Sequence, residues 1–382
     1  MATSHDLILR GGRVVDPSTG QDGPADVAFS DGRVAAVGPS LREGPGTDVR
    51  NVAGAIVTPG LIDLHTHVYW GGTSLGVDAE RFARTSGVTT FVDTGSAGAG
   101  NFAGFRSHVI ERSPVRILAF LHISYAGIFG YTPSVSVGES ENIRLMAPKE
   151  AVAVADDNRD LIVGIKVRVG RNASGSSGID PLNAAIDTAR EAGLPVMAHI
   201  DHPPPSYEEV LARLRPGDIL THAFRPFPNS PLIAGARIRD EIAAARERGV
   251  LFDIGHGKGS FSFAVAEKLL EAGFRPDTIS SDIHAFCVGG PVFDQTTTLS
   301  KFLALGMSLS DVVAATTMRP ARAIGRPELG SFAPGSVGDA TVLSLEEGRF
   351  EFEDAVGRVL TGTRRLVARG VVLGGAWWHT AT

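Results

Sequence analysis

Two histidines one residue apart, His65 and His67, close the run Pro59-Gly60-Leu61-Ile62-Asp63-Leu64-His65-Thr66-His67. In an extended strand, residues i and i+2 project from the same face, so both imidazoles can reach one ion while Thr66 points away. That is half of a metal site. Further ligand-type residues end other apolar runs: Lys166, His199, His222 and Asp282. A single histidine at a strand end is ordinarily a hydrogen-bonded packing residue, but four with an aspartate at equivalent places point to one shared mouth.

Lys166 is the least expected of these, because it lies within the apolar run Leu161-Ile162-Val163-Gly164-Ile165-Lys166-Val167, where a buried ammonium is costly. Burial favours the neutral amine, which can react with carbon dioxide to give a carbamate, an anionic two-oxygen ligand able to bridge two cations. Oxygen and imidazole donors of this kind suit Zn or Mn. The structural alternative is a lysine that snorkels to the rim or pairs with Asp282.

These residues must be positioned by the elements that carry them. From Leu61 onward, eight short β-rich runs, at 60–65, 88–93, 115–123, 161–169, 195–200, 218–222, 250–254 and 278–282, alternate with amphipathic helical stretches at 181–192, 207–214, 238–248, 261–272 and 309–324. Eight strand–helix units predict an α/β fold, a (β/α)8 TIM barrel with its site at the C-terminal strand ends. Residues 1–58 and 329–382 alternate and turn like β-hairpins, so both termini are expected to pair into a small β-sandwich domain flanking a barrel of residues 59–328.

Composition bounds the partners. Among 382 residues, 43% are hydrophobic, and 42 acids against 36 bases leave a net charge of −6 without single-sign blocks, which argues against a nucleic-acid surface and for a small-molecule substrate. One cysteine, Cys287, excludes an intrachain disulfide framework and a thiolate zinc cluster, and fits a reducing compartment. With no signal-like start and no apolar run of membrane length, the expectation is a cytoplasmic protein with no membrane partner. A homo-oligomer is compatible with the exposed helices of such a barrel.

The chain resembles the amidohydrolase superfamily of binuclear metal enzymes, which includes dihydroorotase, the hydantoinases and the N-acyl-D-amino-acid deacylases. The resemblance rests on the 59–67 run, on Lys166, His199, His222 and Asp282, and on Pro334-Gly335-Ser336-Val337-Gly338-Asp339-Ala340. It implies that His65, His67, N-carboxylated Lys166 and Asp282 hold one divalent metal, and that Lys166, His199 and His222 hold a second, with a hydroxide bridging them. Zinc is the expected metal, with Mn or Fe as alternatives. Asp253-Ile254-Gly255-His256-Gly257, Ser260-Phe261-Ser262-Phe263 and Pro291-Val292-Phe293-Asp294 look most like the deacetylase-like branch, which includes acetyl-(R)-mandelate esterases.

The implied chemistry is hydrolysis of an amide or ester of a small carboxylate-bearing molecule, with Asp282 moving the proton from the hydroxide to the leaving group. The alternatives are a cyclic amide hydrolase of the dihydroorotase or hydantoinase kind, and a metal-free scaffold; a mononuclear deaminase would not need Lys166. Arg168 shares the face of Lys166 and could clamp a substrate carboxylate, with an ion pair as its structural reading. His256, His284 and Tyr125 are the other candidate substrate contacts, while His202 fits a pocket wall or a rigid turn equally. His5, His108 and His379 are expected outside the mouth, and Trp377-Trp378 in the terminal sheet.

Overall fold

The computed structural model describes residues 5–233 and 237–380 and shows a mixed α/β fold built on two large sheets, with a two-stranded one at Leu232–Ile233 and Arg237–Ile238. The first is a seven-stranded parallel sheet whose strands neighbour one another in chain order: Leu61–Thr66, Val88–Gly98, Arg116–His122, Ile162–Val169, Val196–Ile200, Ile219–Leu220 and Leu251–Phe252. Leu61–Thr66 and Val88–Gly98 are buried at every position, as expected of strands covered on both faces.

The eighth run, 278–282, is not a regular strand, yet its backbone pairs on both sides. Ile254 and Gly257 donate to the carbonyls of Thr278 and Ser281, Asp282 donates to that of His65, and His67 donates to that of Ile283. This segment therefore joins the last strand of the sheet to the first.

Local sequence accounts for the helices between strands. Asp180–Ala192 starts at Asp180-Pro181 and stops at Gly193, whose φ of 66 an L side chain rarely adopts. Tyr207–Arg213 opens with a capping box in which Ser206 and Glu209 satisfy each other's backbone N–H. The helix expected over 309–324 is instead two, Leu309–Ala314 and Met318–Ala323. Pro320 has no N–H for the carbonyl of Thr316, which accepts from Ile62 N instead and anchors the first parallel strand.

Both chain ends enter one eight-stranded sheet. Ile56–Pro59 lies between Leu7–Asp16, which it pairs in parallel, and Ala340–Glu353, which it pairs antiparallel. The chain passes from it into Leu61–Thr66 through Gly60, where a β-carbon would stand 2.2 Å from Thr89 Oγ1. The terminal sheet is thus fastened directly to the strand that ends in His65. Trp377 packs against its apolar cluster of Leu7, Leu9, Val27, Phe29 and Val342.

Candidate metal centre

At the C-terminal ends of the parallel strands lies a cavity of about 270 Å³ lined by His65, His67, Lys166, His199, His222 and Asp282. All six expected ligand residues therefore face one space. Nε2 of His65 and Nε2 of His67 lie 3.5 and 3.3 Å from Asp282 Oδ1, and Lys166 Nζ is 3.4 Å from His65 Nε2. The donor atoms of His65, His67 and Asp282 fall within 4.8 Å of one another. The His222 ring is 4.5 Å from that of His199 and 5.1 Å from that of His65.

Outer hydrogen bonds decide which way the lone pairs point. Thr221 Oγ1 donates to buried Asp253, so at 2.7 Å it accepts from His65 Nδ1–H. His222 Nδ1–H donates to the Gly255 carbonyl at 2.7 Å, and His67 Nδ1 is held by Ser96 Oγ at 2.9 Å. With Nδ1 protonated, Nε2 of His65 and of His222 carries its lone pair into the cavity.

Electrostatics agree. Desolvation, reinforced by nearby cationic groups, pushes His65, His199 and His222 well below the usual imidazole range and His67 to about 3, so all four are neutral at pH 7. Burial lowers Lys166 to about 7 and raises Asp282 to about 6. Asp282 Oδ1 and His199 Nε2 are buried with no hydrogen-bond partner. Unprotonated nitrogens facing a carboxylate oxygen repel one another unless a cation stands between them, so this donor set fits divalent metal.

Two of the ligand-type residues have strained backbones: φ is 60 at His222 and 51 at Asp282. Such left-handed conformations cost about 1–3 kcal/mol each in non-glycine residues and gather at working sites.

The expected substrate contacts divide. His284 lines the cavity, and Phe286 N donates to its Nδ1 at 3.2 Å, so the neutral ring presents Nε2–H, opposite in sense to His65 and His222. Arg168 lines the cavity too, but its Nη1 is engaged by buried Glu139 at 3.1 Å, with Tyr131 against the guanidinium at 5.4 Å. His202 lines the cavity as well.

His256 and Tyr125 do not line it. Gly255, at φ 46, breaks the strand alternation and turns the His256 ring away, onto Phe261 and Lys301. Tyr125 is half exposed, its ring against Gly100. His5 and His379 bond Ser30 and Arg84, and His108 lies against a separate surface hollow.

Arg225 escaped the sequence reading. It lines the cavity, is 6% exposed, and neither its Nε nor its Nη1 has a partner. Its position three residues after His222 was the available signal.

A parallel α/β sheet whose strand ends gather neutral histidines, a lysine and an aspartate around one cavity fits a hydrolytic enzyme with a candidate metal site. Residues 56–374 match the Amidohydrolase family, and the chain belongs to that family. It is 36% identical over 344 residues to a deacetylase of Agrobacterium fabrum, covering 90% of this chain and 84% of the relative. Among solved structures, it is similar to a dihydroorotase at 34% identity and TM-score 0.89, covering 98% of this chain and 99% of that one. An adenine deaminase structure aligns at 27% identity and TM-score 0.92, covering 99% and 100%. No helix among the described residues is long and apolar enough to cross a membrane.

Proposed function

We propose that this chain is a binuclear metal-dependent hydrolase that cleaves the acyl amide or ester of a small carboxylate-bearing molecule. The observation carrying this reading is the convergence of the unprotonated His65 Nε2 and of His67 Nε2 on the partnerless Asp282 Oδ1, beside a buried lysine. His65, His67, Asp282 and N-carboxylated Lys166 would hold one divalent ion, and Lys166, His199 and His222 the second, with zinc the best match to the donors. When bound, such ions supply a water of lowered pKa and polarise the scissile carbonyl.

The remaining steps belong to the chain. Asp282, a carboxylate at neutral pH, takes the proton of the attacking water, then returns it to the departing amine or alkoxide. His284 directs Nε2–H at the carbonyl oxygen as negative charge develops there. Arg225 binds the substrate carboxylate, since its Nε and Nη1 have no protein partner, whereas Arg168 is already matched by Glu139.

We read segment 278–283 as the eighth stave of a (β/α)8 barrel over residues 59–328, and the terminal sheet as the accessory β-sandwich of residues 1–58 and 329–382. Ring opening of a cyclic amide is the second reading, favoured by the 34% identity to the dihydroorotase structure.

The test is elemental analysis of purified protein together with hydrolysis of N-acetyl amino acids of both hands, O-acetylated 2-hydroxy acids, dihydroorotate and hydantoins. Two metal equivalents with acyl cleavage are expected. Turnover confined to the cyclic amides would replace the acyl reading by the second, and a metal-free, inactive protein would end both.

A further inference from the structure

Lys301 lies in the helix Gln295–Ala304, 0% exposed, in a part of the molecule that the chemistry above leaves unused. Its Nζ meets three acceptors: His256 Nε2 at 2.8 Å, the Pro291 carbonyl at 2.8 Å and the Glu353 carbonyl at 2.7 Å. Desolvation lowers the amine to about 7, but three acceptors require three N–H donors, so the contacts favour the ammonium form.

The other side of the imidazole completes the relay. His256 Nδ1–H donates to the Gly257 carbonyl at 2.9 Å, which leaves Nε2 as the acceptor for Lys301, and the ring packs on Phe261 with centroids 4.6 Å apart. His256 is flanked by Gly255 and Gly257, with φ of 46 and 50. This turn is the floor beneath the candidate ligands. A β-carbon on Gly257 would lie 2.2 Å from Asp282 Oδ2, one on Gly255 would lie 3.0 Å from His222 Nδ1, and the Gly255 carbonyl holds His222 Nδ1–H.

The terminal sheet braces the same place from outside. Besides the Glu353 carbonyl, Ala355 N donates to the Phe261 carbonyl, and Asp354 Oδ2 accepts from Phe263 N.

We propose that Lys301 is a positioning residue for the hydrolytic site: through the His256 ring it holds the Gly255–Gly257 turn against His222 and Asp282. The proposal rests on the reading of those two residues given above. It makes the end of the Ala340–Glu353 strand part of the support of an active site on the other sheet.

The experiment is ring-nitrogen NMR of the ¹⁵N-histidine-labelled protein beside steady-state kinetics, for wild type, Lys301→Met, His256→Phe and the double variant. In wild type, His256 should show the Nδ1–H tautomer. In Lys301→Met the Gly257 carbonyl still holds Nδ1–H, but the His256 Nε2 signal should shift as that acceptor loses its donor, and the His222 Nδ1–H signal should shift as the Gly255 carbonyl moves. Turnover should fall roughly 10- to 100-fold, the range for supporting contacts of a metal centre, with KM nearly unchanged and the double variant no worse than either single one.

An unmoved His222 signal in Lys301→Met would overturn the proposal, as would additive kinetic losses with KM rising alongside. Should Lys301→Met fail to fold, His256→Phe gives the same two readouts, because it keeps an aromatic ring against Phe261 and leaves the amine its two carbonyls. A shifted His222 signal with unchanged turnover would instead count against the roles assigned to His222 and Asp282.

Discussion

Gly257 and Asp282 approach so closely that a β-carbon on the glycine would stand 2.2 Å from the carboxylate Oδ2. The backbone at Gly257 also has φ 50, which an alanine adopts only at a cost of about 1–2 kcal/mol. Gly257→Ala should therefore displace the carboxylate and lower turnover at least roughly 100-fold, the scale expected when a proton-transferring group leaves its place. Gly289→Ala, where a β-carbon meets nothing within 4 Å, is the control expected to keep wild-type activity. Circular dichroism melting beside turnover checks both; wild-type turnover in Gly257→Ala would mean that this contact does not matter.

Replacing Asp282 by asparagine keeps a side-chain oxygen and removes the base. Turnover should drop roughly 10²- to 10⁴-fold, the usual contribution of general acid–base catalysis. Metal content measured on the same sample should stay close to that of wild type. Near-normal turnover would remove Asp282 from the proton path.

Arg225 carries opposite signs for stability and for binding. Because Nε and Nη1 are buried without partners, Arg225→Met should raise stability by about 1–2 kcal/mol, seen as a higher melting temperature. The same change should raise KM for a carboxylate-bearing substrate roughly 10- to 100-fold, as expected on losing a charged hydrogen bond. A methyl ester or amide of that substrate should be nearly indifferent. Equal losses for charged and neutral substrates would exclude Arg225 as the anion contact.

The pH dependence of metal uptake follows from Lys166. Burial lowers its pKa from 10.5 to about 7, so the amine is protonated below that value and free above it. Only the free amine reacts with carbon dioxide. At a fixed concentration of dissolved CO2, protein stripped of metal and bicarbonate should accordingly regain metal faster at pH 8 than at pH 6, and Lys166→Ala should show no CO2 effect. Isotope-edited infrared or ¹³C NMR of the carbamate gives the direct readout, and CO2-independent reconstitution of wild type would rule the carbamate out.

Much of the candidate centre was legible in the chain because strand geometry is local. The period of two places His65 and His67 on one face, and the apolar runs mark where Lys166, inside its strand, and His199, His222 and Asp282, at or just past the ends of theirs, stand. The seven parallel strands follow from the same runs, with the eighth shortened to backbone pairs around 278–283.

What the tertiary structure alone decided is which side chains left that pattern and which loops supplied the remainder. A positive φ at Gly255 turned His256 away from the cavity, and buried Glu139, from the loop between the third and fourth parallel strands, took up Arg168. Arg225 faces the same cavity with its Nε and Nη1 unpartnered. Likewise, only packing of the terminal sheet brought the Glu353 carbonyl to Lys301, 52 residues away in sequence. Periodicity is written into neighbouring residues, whereas charge pairing and loop direction depend on groups that meet only once the chain is folded.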